Sequence, residues 1–433
     1  MESGSDNEMH SIFLDISRCN GCINCLKRCP TQAIRVRDNK AYVIGQRCID
    51  CGVCVSACSH KAKRTRSDSF SSIKDYRYKI ALPPPSIYAQ FNNLENQATL
   101  HEALLGIGFD EVYEVTKAVE IWRQLRNRYL EVNKDNLVYP VISTTCSVVT
   151  RLIKVRYPDL IDNLLPMITP IEVAGMLAKE KAIRETGLKA EEIGCVFLTP
   201  CPAKVSEAHS PIGTKNRYIN LAVAINEIYP LLLRHIDSTK EKSINIDSKL
   251  QEKPNNDINA ARIRQSTINV ENYLSADGIE NIITILEDLE SHDYNLEYVD
   301  LSGCNAGCFG GVLQVENPFI AQVKNKRIHK IHNYDIDTNS LPDLERLLWD
   351  KELEYVPTME LGDNKQENFE RLGQLQKIVK SLPGLDCGRC GAPSCESFAQ
   401  DVVTLNADIR DCVVLFREQM EQIYKMMGES LDL

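Results

Sequence analysis

The sequence predicts an α/β protein with a mostly parallel sheet and a cysteine-dense module at each end. Three observations lead there. Between residues 76 and 345, β-like runs alternate with helical ones, the order that produces parallel sheets. Seventeen cysteines occur among 433 residues, most of them in tight groups. The first 75 residues also contain an internal duplication, so the ends and the middle are different kinds of domain.

Composition narrows the class. Hydrophobic residues make up 43% and charged residues 25%, ordinary for a soluble globular protein. No apolar run approaches the roughly 20 residues needed to span a bilayer. The start, M-E-S-G-S-D-N-E, is acidic and polar, unlike a signal or transit peptide, so a cytoplasmic location is expected. Cysteines in that compartment are metal ligands more often than disulfides. A net charge of −10 and a pI near 5.5 argue against a nucleic-acid partner and suit docking against a basic rim on another protein.

Residues 1–75 form the first expected domain. Cys19, Cys22, Cys25 and Cys29 lie in C-N-G-C-I-N-C-L-K-R-C-P. Cys48, Cys51, Cys54 and Cys58 repeat the spacing 29 residues later. Between the copies, A-I-R-V-R-D-N-K-A-Y-V-I reads as a hairpin turning at Asp38-Asn39. Two zinc knots are one reading, but three cysteines at two-residue gaps suit a cubane better. The doubled motif resembles two-cluster ferredoxins, an α+β fold. That resemblance implies one 4Fe–4S cluster on Cys19, Cys22, Cys25 and Cys58, and another on Cys48, Cys51, Cys54 and Cys29. Ser59 stands where a second proline is common.

The middle domain, 76–345, follows a basic, serine-rich stretch. K-I-A-L-P-P-P-S reads as a strand entering a rigid linker. Strands are expected at Glu111–Val115, Leu137–Thr144, Ile193–Leu198 and Tyr298–Leu301. Helices are expected to end at Leu100–Gly106 and to cover Lys117–Leu130, 148–157, 171–186, 219–234 and Gly278–Glu290. The polar run 237–268 reads as a surface excursion. Cys195, in the apolar strand I-G-C-V-F-L, reads as a buried structural thiol.

Three peptides of this domain each follow a buried strand: V-I-S-T-T-C-S-V-V-T-R-L with Cys146, F-L-T-P-C-P-A-K-V-S-E-A with Cys201, and D-L-S-G-C-N-A-G-C-F-G-G with Cys304 and Cys308. Ligands in α/β sheets gather beyond the carboxyl ends of strands, so the four thiols are candidates for one site. The peptides resemble the signature loops of the FeFe-hydrogenase catalytic domain, over about 78–335. The resemblance implies a two-lobed, mostly parallel-sheet domain. It also implies an H-cluster, a 4Fe–4S cubane joined to a diiron unit with carbon monoxide, cyanide and a dithiolate amine bridge. Cys146, Cys201, Cys304 and Cys308 would bind it, with Cys308 shared between cubane and diiron unit, and Lys204 would hydrogen-bond a cyanide. The implied reaction is reversible splitting of dihydrogen into protons and electrons, and diiron maturation enzymes are implied partners.

The departures from that family are specific. Thr145 stands at the proton-relaying cysteine. Leu165 occupies the serine of the usual relay, and V-E-I-W-R-Q offers no match for two relay glutamates. Thr199 and Ser302 replace methionines. A threonine hydroxyl does not titrate near neutral pH as a thiol does. Glu207 or Glu172 is the available substitute in proton transfer.

Residues 346–380 read as a charged, helical connector and 381–433 as a small helical domain. Its L-P-G-L-D-C-G-R-C-G-A-P-S-C resembles an iron–sulfur module of anaerobic redox proteins. The resemblance implies a further 4Fe–4S cluster on Cys387, Cys390, Cys395 and Cys412, the third beside the H-cluster; zinc is the other metal such spacing takes. Gln419–Met427 reads as an amphipathic helix for packing or homodimer contact. The assembly is similar to the sensory FeFe-hydrogenase subgroup. That implies a slow hydrogenase passing redox state to a redox or signalling partner. A hydrogenase-derived electron-transfer or cluster-assembly protein without diiron is the alternative.

Overall fold

The computed structural model describes residues 10–92, 94, 96–242, 272–292, 294–328, 341–357, 361–362 and 364–427. In chain order, the elements begin with β1 (Ile12–Leu14), α1 (Asn24–Lys27), β2 (Ile34–Arg37), β3 (Lys40–Val43), α2 (Val53–Ser56) and β4 (Lys63–Thr65). There follow β5 (Tyr78–Leu82), α3 (Pro85–Tyr88), α4 (Gln97–Gly106), β6 (Glu111–Val112), α5 (Val115–Val132), β7 (Val141–Ile142), α6 (Ser147–Arg156) and α7 (Pro170–Thr186). Next come β8 (Ile193–Thr199), α8 (Pro202–His209), β9 (Leu221–Ala224), α9 (Ile225–Lys242), β10 (Tyr273–Asp277), α10 (Ile279–Ser291), β11 (Tyr298–Ser302) and α11 (Pro318–Ile328). The chain closes with α12 (Lys365–Ser381), α13 (Cys395–Val403) and α14 (Val413–Met426).

These elements form two compact units. One combines Met1–Cys48, Val53–Arg64 and Val356–Leu433; the other combines Ile49–Gly52 with Thr65–Tyr355.

The larger unit is the α/β body. Its four-stranded sheet has the order β6-β5-β8-β9 and its three-stranded sheet β10-β11-β7, every pairing parallel. Strand alternation divides β5 and β8 between two cores. Ile80, Leu82, Cys195 and Phe197 pack with Trp122 of α5 and Val173 of α7, while Ala81, Val196 and Leu198 pack with Leu104 of α4 and Leu232 of α9. All seven residues of β8 are buried, as expected of a strand covered on both faces. Each large side chain there contributes about 1.5–3 kcal/mol. Cys195 is buried in that strand with Sγ 3.6 Å from the Gly175 carbonyl.

Several expected boundaries move, each for a local reason. P-P-P-S is a buried helix start rather than a linker, with Pro85 at the first turn of α3, where a missing N–H costs nothing. The strand expected over Leu137–Thr144 is confined to β7. Pro140 has no N–H to give the ladder, and pairing begins at Val141, which donates to the Glu297 carbonyl. The strand at Glu111–Val115 stops at Val112, because Glu114 is already the N-cap of α5. Residues 221–224, expected as helix, are strand β9; a short apolar run does not reveal its own period. Strand β10 went unread. Of the run 237–268, residues up to 242 continue α9, and 243–268 lie outside the described residues.

The smaller unit displays its duplication in three dimensions. Helices α1 and α2 sit 29 residues apart, and Gln32 and Lys61, also 29 apart, both take positive φ, 51° and 50°. Ala33 N–H lies 3.2 Å from Cys29 Sγ, and Ala62 N–H lies 3.2 Å from Cys58 Sγ. The hairpin β2–β3 turns through Asp38 and Asn39 at φ 50° and 58°, the double left-handed geometry of a type I′ turn. The terminal helices build a core from Leu375, Leu382, Phe398, Ala399 and Val403. The stretch expected as a connector is shared out: Leu347 is buried in the larger unit, and α12 packs on α13 in the smaller.

Candidate metal centre in the α/β unit

The parallel sheets carry three cysteine loops to their carboxyl ends. After β7, Cys146 is the N-cap of α6; after β8, Cys201 is the N-cap of α8. After β11 come Cys304 and then Cys308, the latter in a 3₁₀ turn over Gly307–Gly310. Because β11 pairs with β7, Val299 opposite Ile142, two of these loops leave the sheet side by side. Gly303 N–H lies 3.5 Å from Cys146 Sγ. The third loop is stitched on by Leu313 N–H, which donates to the Pro200 carbonyl at 3.0 Å. Gly311 is required there, since a Cβ would overlap that same carbonyl.

The four thiols are electrostatic neighbours. Burial, then Cys308, pushes Cys201 up to about 12, with Cys146 adding to the shift. Burial, then Cys201, Cys146 and Cys308, pushes Cys304 well above an ordinary thiol. Left alone, such a group holds its protons; a metal that displaces them removes the penalty. Two of the sulfurs sit at helix N-termini, where the partial positive charge favours an anionic ligand. A set of four thiols, three half-buried and Cys308 exposed, is the donor chemistry of iron–sulfur clusters or zinc, and it fits a cubane.

Beside it, α8 carries a buried ion pair. Lys204 Nζ lies 2.8 Å from Glu207 Oε2. Glu207 also accepts from Thr169 Oγ1 at 2.5 Å and from Ser147 Oγ. Burial alone would raise the Glu207 pKa, but Lys204 and the two hydroxyls outweigh it and hold the carboxylate below its usual range. Lys204 is pulled down by burial and raised more strongly by Glu207. Glu172 on α7 behaves oppositely. Burial, then repulsion from Glu207, pushes it up to about 8. Two coupled, buried carboxyls driven apart in pKa are suited to opposite acid and base roles.

The substituted positions are also placed. Thr145 Oγ1 lies 3.1 Å from Ser143 Oγ. Leu165 is fully buried, and its carbonyl accepts from Thr144 Oγ1 at 3.0 Å. Thr199 Oγ1 donates to the Cys201 carbonyl at 2.9 Å, and Ser302 is buried at the end of β11. Sequence reading missed Ser147 and Thr169, which hold Glu207, because single hydroxyl residues carry no pattern. It also missed Asp50. This buried carboxylate in the loop Ile49–Gly52 accepts from Arg151 at 3.0 Å and Ser206 at 2.6 Å, so it ties α6 to α8.

In the smaller unit, Cys25 has Cys22, Cys58 and Cys19 as electrostatic neighbours, Cys54 has Cys29 and then Cys25, and Cys390 has Cys412 and Cys387. Cys48 and Cys395 lie in the same unit, while Cys51 belongs to the loop counted with the larger one.

Comparison with known proteins finds matches along much of the chain. A family model for the iron-only hydrogenase large subunit, C-terminal domain, matches residues 78–263. A 4Fe-4S dicluster domain model matches 11–59, and an Fe-S cluster model matches 382–414. Iron hydrogenase 1 of Clostridium pasteurianum is 23% identical over 256 residues, 52% of this chain and 44% of that protein. The periplasmic Fe hydrogenase large subunit of Nitratidesulfovibrio vulgaris is 24% identical over 223 residues, 47% of this chain and 53% of that protein. The chain thus spans about half the length of these curated relatives. The solved apo FeFe-hydrogenase HydA1 of Chlamydomonas reinhardtii aligns at 14% identity and a TM-score of 0.45, covering 62% of this chain and 88% of that one. Among the described residues, no helix is long and apolar enough to cross a membrane. With hydrogenase, dicluster and Fe-S cluster models matching successive parts of one chain, this protein is similar to FeFe-hydrogenases over its middle part and is an iron–sulfur protein.

Proposed function

We propose that the protein is a low-turnover hydrogenase that exchanges electrons with dihydrogen and protons and reports redox state to a partner protein. One observation carries the reading: four mutually neighbouring thiols from three strand ends lie beside a buried Lys204–Glu207 pair. An H-cluster bound there supplies reversible cleavage of dihydrogen. The protein's residues would supply the setting. Cys146, Cys201, Cys304 and Cys308 hold the group. Lys204 presents a buried cation, and a charge-assisted hydrogen bond is strong where water is scarce. Glu207 fixes the position of that cation, and Glu172 keeps a proton on its carboxyl at neutral pH.

The low turnover follows from Thr145 and Leu165, which leave no thiol or serine at the positions of the family's relay. The sensing role rests on that slowness together with the extra cysteine module at 381–433. Infrared spectroscopy of protein matured with diiron-inserting enzymes tests the reading. Carbonyl and cyanide bands are expected, with hydrogen uptake well below that of relay-bearing enzymes. Absence of the bands would favour an electron-transfer or cluster-assembly protein of hydrogenase ancestry. Bands accompanied by fast uptake would remove the low-turnover claim.

A further inference from the structure

The two ends of the chain meet through their cysteine loops. Helix α1 carries Cys25, and its neighbours Ile23, Leu26 and Lys27 face the loop between Cys387 and Cys390. A Cβ on Gly388 would stand 3.2 Å from Lys27 Cδ, 3.3 Å from Leu26 Cδ2 and 3.5 Å from Ile23 Cδ1, so the loops approach closely enough that a side chain there would crowd α1. Lys27 Nζ brackets the terminal loop from both sides, donating to the Asp386 carbonyl and, at 3.0 Å, to the Pro393 carbonyl.

The junction is reinforced by strand β2. Val36 N–H donates to the Gly391 carbonyl at 2.9 Å. Gly391 takes φ +79°, and a Cβ there would overlap the Val36 carbonyl. Arg37 donates to the Cys390 carbonyl at 2.7 Å and to Asp401 at 2.8 Å, and the fully buried Arg35 reaches Asp401 at 2.7 Å. Gln32 accepts from Ser397 and, at 3.4 Å, from Ser394. Charged groups buried and mutually paired in this way fix register. Lys27, Gln32, Asp386, Gly391, Pro393, Ser394 and Ser397 each lie within three positions of a cysteine on their own side.

We infer that the terminal cysteine set (Cys387, Cys390, Cys395, Cys412) and the first N-terminal set (Cys19, Cys22, Cys25, Cys58) hold a directly coupled pair of clusters, wired across the α1–Gly388 contact. In each exchange one electron leaves the reduced member and reduces the other, with no proton or bond change. The terminal module would then not be an isolated outlet, because its electrons pass through the first motif. This rests on the iron–sulfur reading of these eight cysteines and not on the diiron site.

The full-length chain, produced without diiron maturation, is reduced with dithionite and examined by low-temperature electron paramagnetic resonance. A Cys54→Ala background removes the second N-terminal cluster, so remaining spin–spin broadening in the smaller unit reports on the proposed pair. Broadening is expected in Cys54→Ala and should be lost when Cys22→Ala or Cys387→Ala is added. Any signal from the larger unit is common to all three samples and cancels. Lys27→Met, with iron content unchanged, should weaken the broadening without removing a cluster. The pair is overturned if the Cys54→Ala spectrum carries no broadening while iron analysis finds both clusters. A terminal module without iron would instead overturn the iron–sulfur reading on which the pair depends.

Discussion

The cysteines of the α/β body and those of the N-terminal repeat solve the same chemical problem in opposite ways. In the repeat, three cysteines of each copy lie within seven residues, and the loop needs little help from the rest of the fold to bring them together. In the body, four thiols arrive from three strand ends separated by as many as 162 positions, from Cys146 to Cys308, and the sheets must exist before the site does. A local site can fail alone. A site assembled by the sheets is tied to the core that assembles it.

The largest expected contrast follows from that difference. Cys201→Ala should remove the central cluster, about four irons per chain, and lower the unfolding midpoint, because the three strand-end loops lose the group that joins them. Cys22→Ala should remove a similar amount of iron with a smaller shift in the midpoint. Iron analysis and thermal unfolding of both variants check this. Equal shifts would show that the central site is no more integral to its fold than the repeat is to its own.

Next in size is the ion pair beside the central thiols. Glu207→Leu leaves Lys204 buried without its partner, and breaking a buried pair costs about 3–5 kcal/mol. Replacing both, Lys204→Met with Glu207→Leu, should recover much of that loss, since well-packed apolar residues tolerate the site. Denaturant midpoints of the single and double variants form the cycle. If the double variant is as unstable as the single, Glu207's bonds to Ser147 and Thr169 matter more than the charge of Lys204.

The same division explains what the sequence disclosed. The repeat was readable because its ligands are neighbours in the chain, and the hairpin at Asp38-Asn39 because turn chemistry is local. The convergence of Cys146, Cys201, Cys304 and Cys308 was readable only through strand-end logic and family resemblance, which gave Lys204 a partner on the implied cofactor but none in the protein. Ser147, Thr169 and Asp50 stayed hidden, since their importance comes from what packs against them. The meeting of Lys27 with the loop after Asp386 was hidden more completely, for it joins residues 359 positions apart without any shared pattern. Glu172 did leave a trace: an acid in the apolar run P-I-E-V-A-G-M, on a helix whose first turns are buried.

Glu172 sharpens the comparison through pH. Its folded pKa, about 8, lies above the ordinary glutamate value of 4.5. The proton it holds therefore stabilises the fold fully below about pH 4.5, and this contribution is lost as pH rises through 8. The loss is about 1.4 kcal/mol for each unit of pKa difference. Glu172→Gln should flatten the fall in stability between about pH 5 and 8 and leave the variant more stable than wild type at pH 9. Unfolding midpoints across that range decide it. An unchanged slope would mean that Glu172 is solvated or already ionised in the folded protein.

The smallest structural effect is expected at Thr145, and its value lies in separating stability from chemistry. Thr145 is only partly buried, and its hydroxyl bonds to Ser143 at 3.1 Å. Cysteine is close in volume and forms a weaker hydrogen bond, so Thr145→Cys should change stability by no more than about 1 kcal/mol. It does, however, install a group with a pKa near 8.5 where none titrates, and general acid–base transfer by a positioned group is worth about 10²–10⁴-fold. If proton delivery limits the matured enzyme, turnover should rise while the unfolding midpoint stays put. If Leu165 occupies the next relay position, as the resemblance implies, the gain should fall at the lower end of that range, and adding Leu165→Ser should extend it. A matured Thr145→Cys enzyme with wild-type turnover would move the bottleneck away from the proton and toward electron flow through the clusters.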